Sequence, residues 1–296
     1  MKTIVTHDGK FHADDVCAVA ALSLVIDEPV NVIRTRDSEI IEKADYVVDV
    51  GGVFDPEKNR FDHHQQGGAG IRKNMIPYAA FGLVWKTFGE KLCGSSTVAE
   101  RIDGDMVSPL DASDNGIDIS IPKFENVSSY GIDSAINAFV STWKEGDRDM
   151  DAVFLELVSF VKALLAREIV SERAKEEAKE YVERAYNEAV DKRIIVLEGP
   201  YPVRNFLAKH PEPLFFVRPR PSDEKWSVET VRSDPQSFVN RKNLPPIWAG
   251  KKDNEMSEIS GVEDAIFCHR GLFLAVAKSR EGAIKLAQLA VDNQEN

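Results

Sequence analysis

Cysteine is scarce in this chain. Cys17, Cys93 and Cys268 are far apart and form no Cys-x-x-Cys pair. That excludes a disulfide framework and a thiolate zinc site, and it implies buried free thiols in a reducing compartment. No apolar run approaches the roughly 18 residues that a membrane span needs. The opening Met1-Lys2-Thr3-Ile4-Val5-Thr6 is too short and too soon polar for a secretory signal, so a cytoplasmic protein without a membrane part is expected. Internal repeats and low-complexity stretches are missing as well. Basic charge is in deficit, with 37 Lys and Arg against 49 Asp and Glu and a net charge of −12. A basic nucleic-acid-binding domain would not have this balance. What remains is a 296-residue chain, 43% hydrophobic, long enough for one large or two ordinary domains.

The acid-rich part of the chain also carries most of its histidine. Phe61-Asp62-His63-His64-Gln65-Gln66 places an acid and two histidines in a row beside a short apolar stretch. Neutral imidazole and carboxylate are natural ligands for borderline divalent metals. Neighbouring residues on an extended segment point to opposite sides. One histidine is therefore expected to ligate metal and the other to reach substrate, unless the backbone bends. A polar surface turn is the plain alternative, since Gly67-Gly68-Ala69-Gly70 follows.

The surrounding elements supply context. Lys2 to Thr6 reads as a buried strand that ends at His7 and the turn Asp8-Gly9-Lys10. Phe11-His12-Ala13-Asp14-Asp15 leads into a helix over Val16–Ile26, which Asp14 or Asp15 could cap. Capping does not account for His7 and His12 in the same turn. Val30–Arg34 is a second strand, Ser38–Lys43 a short helix, and Tyr46–Val50 a third strand with Asp49 near its end. An unpaired acid there is costly to bury, and a cation would compensate it. Helices are expected over Pro77–Phe88, Ser95–Arg101 and Ser128–Trp143. Between them Asp111 and Asp114 lie three apart and would share a helix face, although Asn115-Gly116 favours an ordinary capped turn. A long helical stretch, with room for one break, runs over Arg148–Val190.

Beyond it, Arg193–Leu197, Leu214–Arg218, Trp226–Val231, Ala265–His269 and Leu272–Ala277 read as strands, with Phe238–Trp248 as an ordered loop and Glu281–Val291 as a closing helix. The division expected is residues 1–147 as a metal-binding catalytic domain, 148–191 as a helical connector and 192–296 as a smaller substrate-binding domain. Charge follows it. Residues 1–191 hold 21 Lys and Arg against 35 Asp and Glu, and residues 192–296 hold 16 against 14.

The ligand groups His7/His12/Asp14, Asp49, Asp62/His63/His64 and Asp111/Asp114 fall at expected strand ends or turns. Ligands of open α/β sheets bind beyond the carboxyl ends of the strands. A two-metal site needs a bridging carboxylate, and Asp49 is the natural one. Two ions about 3.5–4 Å apart would activate water and stabilise a leaving oxygen.

Asp62-His63-His64, with an upstream His/Asp cluster and a lone acid on the intervening strand, resembles the DHH phosphoesterase superfamily. The chain is more similar still to its Myg-type branch, the melanocyte-proliferating-gene protein family. The resemblance rests on Thr6-His7-Asp8-Gly9-Lys10-Phe11-His12-Ala13-Asp14, Arg34-Thr35-Arg36-Asp37, Val47-Val48-Asp49-Val50-Gly51-Gly52, Asp62-His63-His64-Gln65 and Asp111-Ala112-Ser113-Asp114-Asn115-Gly116-Ile117. It continues into the second half through Phe215-Phe216-Val217, Leu244-Pro245 with Trp248, and Glu281-Gly282-Ala283.

The resemblance implies an α/β fold: a mostly parallel sheet with flanking helices, a helical connector and a second, smaller α+β lobe. It also implies two divalent ions of the Mn²⁺ type, with Mg²⁺, Co²⁺ or Zn²⁺ admitted. Family members carry two labels, metal-dependent protein hydrolase and RNA exonuclease. The superfamily's phosphoester chemistry favours phosphodiester hydrolysis of RNA or a short oligonucleotide. Two features depart from the superfamily pattern: His12 stands where a first acid would be, and His269-Arg270-Gly271 is the only candidate for its glycine-rich histidine motif.

On this basis His7, His12 and Asp49 are assigned to one metal, and Asp14, Asp49, His63 and Asp111 to the other. Asp62 would orient a ligand histidine. His64 would touch a substrate phosphate or give a proton to the leaving group. His269, Lys278 and Arg280 are candidate phosphate contacts. Asp114 is an alternative ligand or an orienter, and Asp15 a helix cap. Two other functions stand beside the nuclease: a small-molecule phosphohydrolase acting on pyrophosphate or a nucleotide, and a non-catalytic metal or nucleotide sensor. A sensor would have no need of both His63 and His64.

Overall fold

A computed structural model describes residues 1–146, 148–234 and 237–294. The boundary expected at residue 147 and the end of the second lobe at residue 296 lie outside the described residues. The chain divides into two compact units, Met1–Arg173 and Ala174–Asn296.

The first unit opens with strand β1 (Lys2–Thr6), helix α1 (Ala13–Val25), strand β2 (Val30–Arg34), helix α2 (Ser38–Lys43) and strand β3 (Tyr46–Val48). A short hairpin, β4 (Phe54–Asp55) and β5 (Arg60–Phe61), follows. Helices α3 (Ala80–Cys93), α4 (Ser96–Ile102), α5 (Ser108–Asp114) and α6 (Ile132–Asn137) come next. Helix α7 (Met150–Glu188) runs unbroken for 39 residues. The sheet order is β2-β1-β3-β5-β4. Its ladders are parallel except for the edge pair of β4 with β5. Residues 13–23 of α1 are buried on every face, as an apolar helix wrapped by other elements must be. It packs on α3, and Val153, Phe154, Leu157, Val161 and Leu165 of α7 complete the same core.

The second unit holds β6 (Ile194–Val196), α8 (Arg204–Leu207), β7 (Phe215–Arg220), β8 (Lys225–Thr230), α9 (Asp253–Ser260), β9 (Ala265–Cys268), β10 (Leu274–Ala277) and α10 (Arg280–Asp292). The order is β6-β7-β8-β10-β9, and only the β6–β7 ladder is parallel. The C-terminal part of α7 serves this unit, where Val182 joins Ile195, Leu197 and Phe216. No helix among the described residues is long and apolar enough to cross a membrane.

The α/β class with flanking helices agrees with the expectation from sequence. Several elements differ. The helix expected over 128–143 is confined to Ile132–Asn137, because Ser128, Ser129 and Gly131 are weak helix formers and Val140-Ser141-Thr142 favours extended backbone. Strand β3 stops at Val48, and Asp49 turns into the left-handed region with φ of 53°. Aspartate is among the few non-glycine residues that tolerate that conformation. Helix α9 lies in a stretch with too little apolar periodicity to announce it.

Candidate metal centre

Strands β1, β3 and β5 are parallel neighbours. The register Val5↔Val47 and Val48↔Phe61 brings their carboxyl ends level. The residues just beyond are His7, Asp49 and the Asp62-His63-His64 run. The sheet therefore delivers three ligand groups side by side, where such sheets hold their ligands.

His7 is buried at 3% exposure. Its Nδ1–H can donate to the Asp8 carbonyl at 2.9 Å. Nε2 then faces two carboxylate oxygens, Asp15 Oδ2 and Asp49 Oδ2, each at 3.3 Å. A neutral ring in this tautomer would aim a lone pair at two anions. A proton or a metal cation on Nε2 resolves the conflict, and a histidine held through its other nitrogen is the usual arrangement at metal sites. The His12 ring lies 5.5 Å from the His7 ring. Burial pushes the His12 pKa down, toward the neutral form that ligates metal.

Asp49 stands between two sets of imidazoles. Oδ2 faces His7, while Oδ1 lies 3.3 Å from His63 Nε2 and 3.4 Å from His64 Nδ1. Burial alone would raise its pKa, but His63 and His7 hold its carboxyl well below the usual range. His63 Nε2 also lies 3.2 Å from Asp114 Oδ2. Burial opposes a charge on His63, yet Asp114 and Asp49 outweigh it and hold the imidazole up to about 10. Three buried polar atoms in this cluster, Asp15 Oδ2, Asp49 Oδ1 and His63 Nε2, lack a hydrogen-bond partner of good geometry. Close anionic oxygens and ring nitrogens without mutual hydrogen bonds form an arrangement that a cation could satisfy.

Among the described residues, three groups could hold a metal ion: His7, His12 and Asp49; Asp49, His63 and His64; and Asp14, His63 and Asp114. Within each, the ligand atoms lie within 4.8 Å of one another. Asp49 and His63 each belong to two of the groups. Asp14 accepts the Ala80 and Phe81 amides at the start of α3 at 2.9 and 2.7 Å. Burial, with Asp49, Asp114 and Asp111 nearby, pushes its pKa well up. The backbone leaves the strand after Phe61, so both neighbouring histidines reach the cluster, with ring centroids 4.3 Å apart.

Asp111 is engaged elsewhere. One oxygen accepts from Arg72 Nη1 at 2.5 Å and the other from the Gly82 amide at 3.0 Å. A Cβ at position 82 would sit 1.8 Å from that carboxylate, so the packing admits only glycine there. Arg72 is itself buried, and it binds Asp103 as well. Asp114, at the last turn of α5, is the acid of this pair that lies beside His63. Asp62 orients His64: its Oδ1 accepts the His64 amide at 3.0 Å and Nδ1–H at 2.8 Å, and its Oδ2 accepts the Gly52 amide. The His64 side chain is 62% exposed and lines a cavity of about 250 Å³ with His12, Asp14, Asp49 and Asp114. Asp133 and Asn137 of α6 form another part of its wall.

Asp15 has a double part. Its Oδ1 caps α1 by accepting the His12 amide at 2.8 Å, while Oδ2 is left to face His7. Burial pushes its pKa up to about 7. The sequence shows the capping role but not the second oxygen. Arg72 carried no signal either, since its acid partners lie 31 and 39 residues away.

The candidate phosphate contacts of the second unit do not form one cluster. His269 lies at the β9–β10 turn, with Nδ1 accepting the Gly271 amide at 3.0 Å and its ring 4.3 Å from Phe273. Lys278 and Arg280 lie past the other end of β10, roughly 13 Å along the strand. Arg280 pairs with Glu198 at 2.9 Å and lies over Trp226.

Fold and site together define an α/β protein whose parallel strand ends gather histidines and aspartates able to hold divalent metal. A family model described as an uncharacterised protein family (UPF0160, MYG1 exonuclease type) matches residues 3–291. The chain is 30% identical to the MYG1 exonuclease of Homo sapiens, covering 96% of this chain and 84% of that protein. It is 31% identical to the MYG1 protein of Dictyostelium discoideum over 96% and 95% of the two chains. Its identity to the MYG1 protein of Chlamydia pneumoniae is 30%, over 99% and 98%. The chain belongs to the MYG1 family.

Proposed function

We propose that this protein is a metal-dependent phosphodiesterase of the DHH type, an exonuclease acting on RNA or short oligonucleotides. The observation that carries the reading is Asp49, whose two oxygens face different histidines, as a carboxylate bridging two cations would. The exonuclease names of its relatives support the substrate class. His7, His12 and Asp49 would hold one ion, and Asp14, Asp49, His63 and Asp114 the other. Asp114 replaces Asp111 in this set because Asp114 Oδ2 lies 3.2 Å from His63 Nε2, whereas Asp111 already has a cation in Arg72. Mn²⁺ suits a mixed imidazole and carboxylate set. When bound, such a pair supplies Lewis-acid activation of water and offsets charge on the phosphoryl group.

The chain's own residues do the rest. Asp62 fixes His64 through Nδ1, which leaves Nε2 free to act. As the water oxygen joins phosphorus and the bond to the nucleoside oxygen breaks, Nε2–H gives its proton to that departing oxygen. The test is end-labelled RNA with purified protein. Mn²⁺ should support stepwise shortening, excess chelator should stop it, and Asp49→Asn should lower both bound metal and rate to background. Full cleavage in chelator, or Asp49→Asn retaining metal and rate, overturns the reading. Cleavage of pyrophosphate but not RNA would replace it with the small-molecule phosphohydrolase.

A further inference from the structure

A second cavity, of about 370 Å³, lies wholly within the second unit. Its size falls in the range of small-ligand sites. Phe216 of β7, 7% exposed, contributes to its wall, and the rings of Phe238 and Phe273 belong to the same lining. Phe238 is 86% exposed and Phe273 43%. One exposed phenylalanine on a surface is ordinary, but two bordering one concavity point to a ligand that covers them.

The charges there are cationic. The Arg232 guanidinium lies 4.5 Å from the Phe238 ring centroid. Arg204, on α8, is exposed and forms no ion pair among the described residues. The acid in the lining, Glu229, is neutralised by a two-pronged pair with Arg218 at 2.9 and 3.0 Å. His269 backs Phe273 from the β9–β10 turn and so stiffens that ring. Exposed π-faces with unneutralised guanidinium groups beside them match an unstacked base and its phosphate. An apolar peptide would leave the arginines unused, and a duplex keeps its base faces stacked.

We propose that this cavity holds a nucleobase of a single-stranded nucleic acid, stacked on Phe238 and Phe273, with Arg204 and Arg232 on the adjoining phosphates. The inference rests on the phosphodiesterase reading for its substrate class, but its test needs no turnover. The probe is a fluorescein-labelled single-stranded RNA of about eight nucleotides, bound to the full chain in excess chelator and followed by anisotropy. Phe238→Ala and Phe273→Ala should each weaken binding by about 5- to 160-fold, the range for losing one base–aromatic stack. Phe238→Tyr should restore it, whereas Phe238→Leu, which keeps apolar bulk without a π-face, should not. Arg204→Ala should weaken binding and lower the slope of log affinity against log salt by about one.

Native-like affinity in both alanine variants, or Phe238→Leu binding as well as Phe238→Tyr, overturns the proposal. Native protein that cleaves RNA while these variants keep their affinity sinks this subsite and spares the phosphodiesterase. Native protein that binds RNA through these rings but never cleaves it with Mn²⁺ sinks the phosphodiesterase and spares the subsite. Native protein that binds no RNA in chelator overturns the subsite, and native protein that neither binds nor cleaves RNA with Mn²⁺ overturns both.

Discussion

The two units bury different things. The first encloses His7, Asp14, Asp15, Asp49, Asp62, Arg72 and Asp111, whereas the buried polar residues described in the second are Ser227, Thr230 and Ser260. Both have well-filled apolar cores. Burying an ionisable group costs several kcal/mol unless it is paired or coordinated. A fold gains nothing from gathering Asp14, Asp15, Asp49 and Asp114 with His7 and His63 beside the carboxyl ends of its parallel strands. The second unit shows that a chain of this composition can close a core without doing so. On the proposed function, the first unit would hold the chemistry at the expense of stability, and the second would be a framework whose functional groups stay at the surface.

The largest effect that sharpens this contrast concerns His64, an exposed histidine of the first unit. His64→Ala removes the proposed proton donor but no buried side chain. It should keep metal content and melting temperature near native while lowering the rate by about 10²–10⁴-fold. Elemental analysis beside initial rates checks this, and loss of metal would place His64 among the ligands instead.

A smaller effect compares one ion pair from each unit. Arg72 and Asp111 are 6% and 0% exposed, while Arg218 and Glu229 are 29% and 23% exposed. Arg72→Leu leaves Asp111 and Asp103 without their cation and should cost about 3–5 kcal/mol. Arg218→Leu breaks a partly solvated pair and should cost about 1 kcal/mol or less. Urea unfolding of both variants measures the two, and equal losses would break the comparison.

Much of the first unit was legible because its strands are short β-branched runs that end in chemistry. His7 and Asp49 could be placed at strand ends from sequence alone, and both stand there. What was not legible depends on partners far along the chain. Asp111 and Asp114 look alike in sequence. Only Arg72, 39 residues upstream, draws Asp111 away from the histidines. The alternation rule separated His63 from His64, but it applies to a strand, and β5 ends at Phe61. For Lys278 and His269 the hairpin expectation already contained the answer, since residues flanking a strand at opposite ends cannot meet. The cavity beside Phe238 had no sequence signal, because an exposed aromatic in a loop reads the same as a buried one.

The smallest effect is a pH dependence in chelator, and its sign separates the units. Burial raises Asp15 and Asp111 to about 7, and the carboxylates around His63 raise it to about 10. All three bind more protons folded than unfolded. For such groups stability falls as pH rises from the unfolded pKa to the folded one. For the two acids that window runs from near 3.8 to about 7, and for His63 from near 6.5 to about 10. Asp49 has the opposite sign, since its folded pKa is depressed. Its contribution is present above about 3.8 and lost only as pH falls further, so it does not compete near neutrality. Metal-free first unit should therefore lose stability between about pH 6 and 8. Added Mn²⁺ should reverse the trend, because deprotonated ligands bind metal and protons compete with it. Hydrogen exchange at the two pH values, corrected for intrinsic rates, would read the units separately. Core amides of the first unit should lose protection in chelator and gain it with Mn²⁺, while those of the second should hold steady, because its buried ionisable group, the Cys268 thiol, is pushed up to about 12, above this pH range. Protection in the first unit that rises with pH in chelator would show that its buried acids are neutralised by something other than protons or metal.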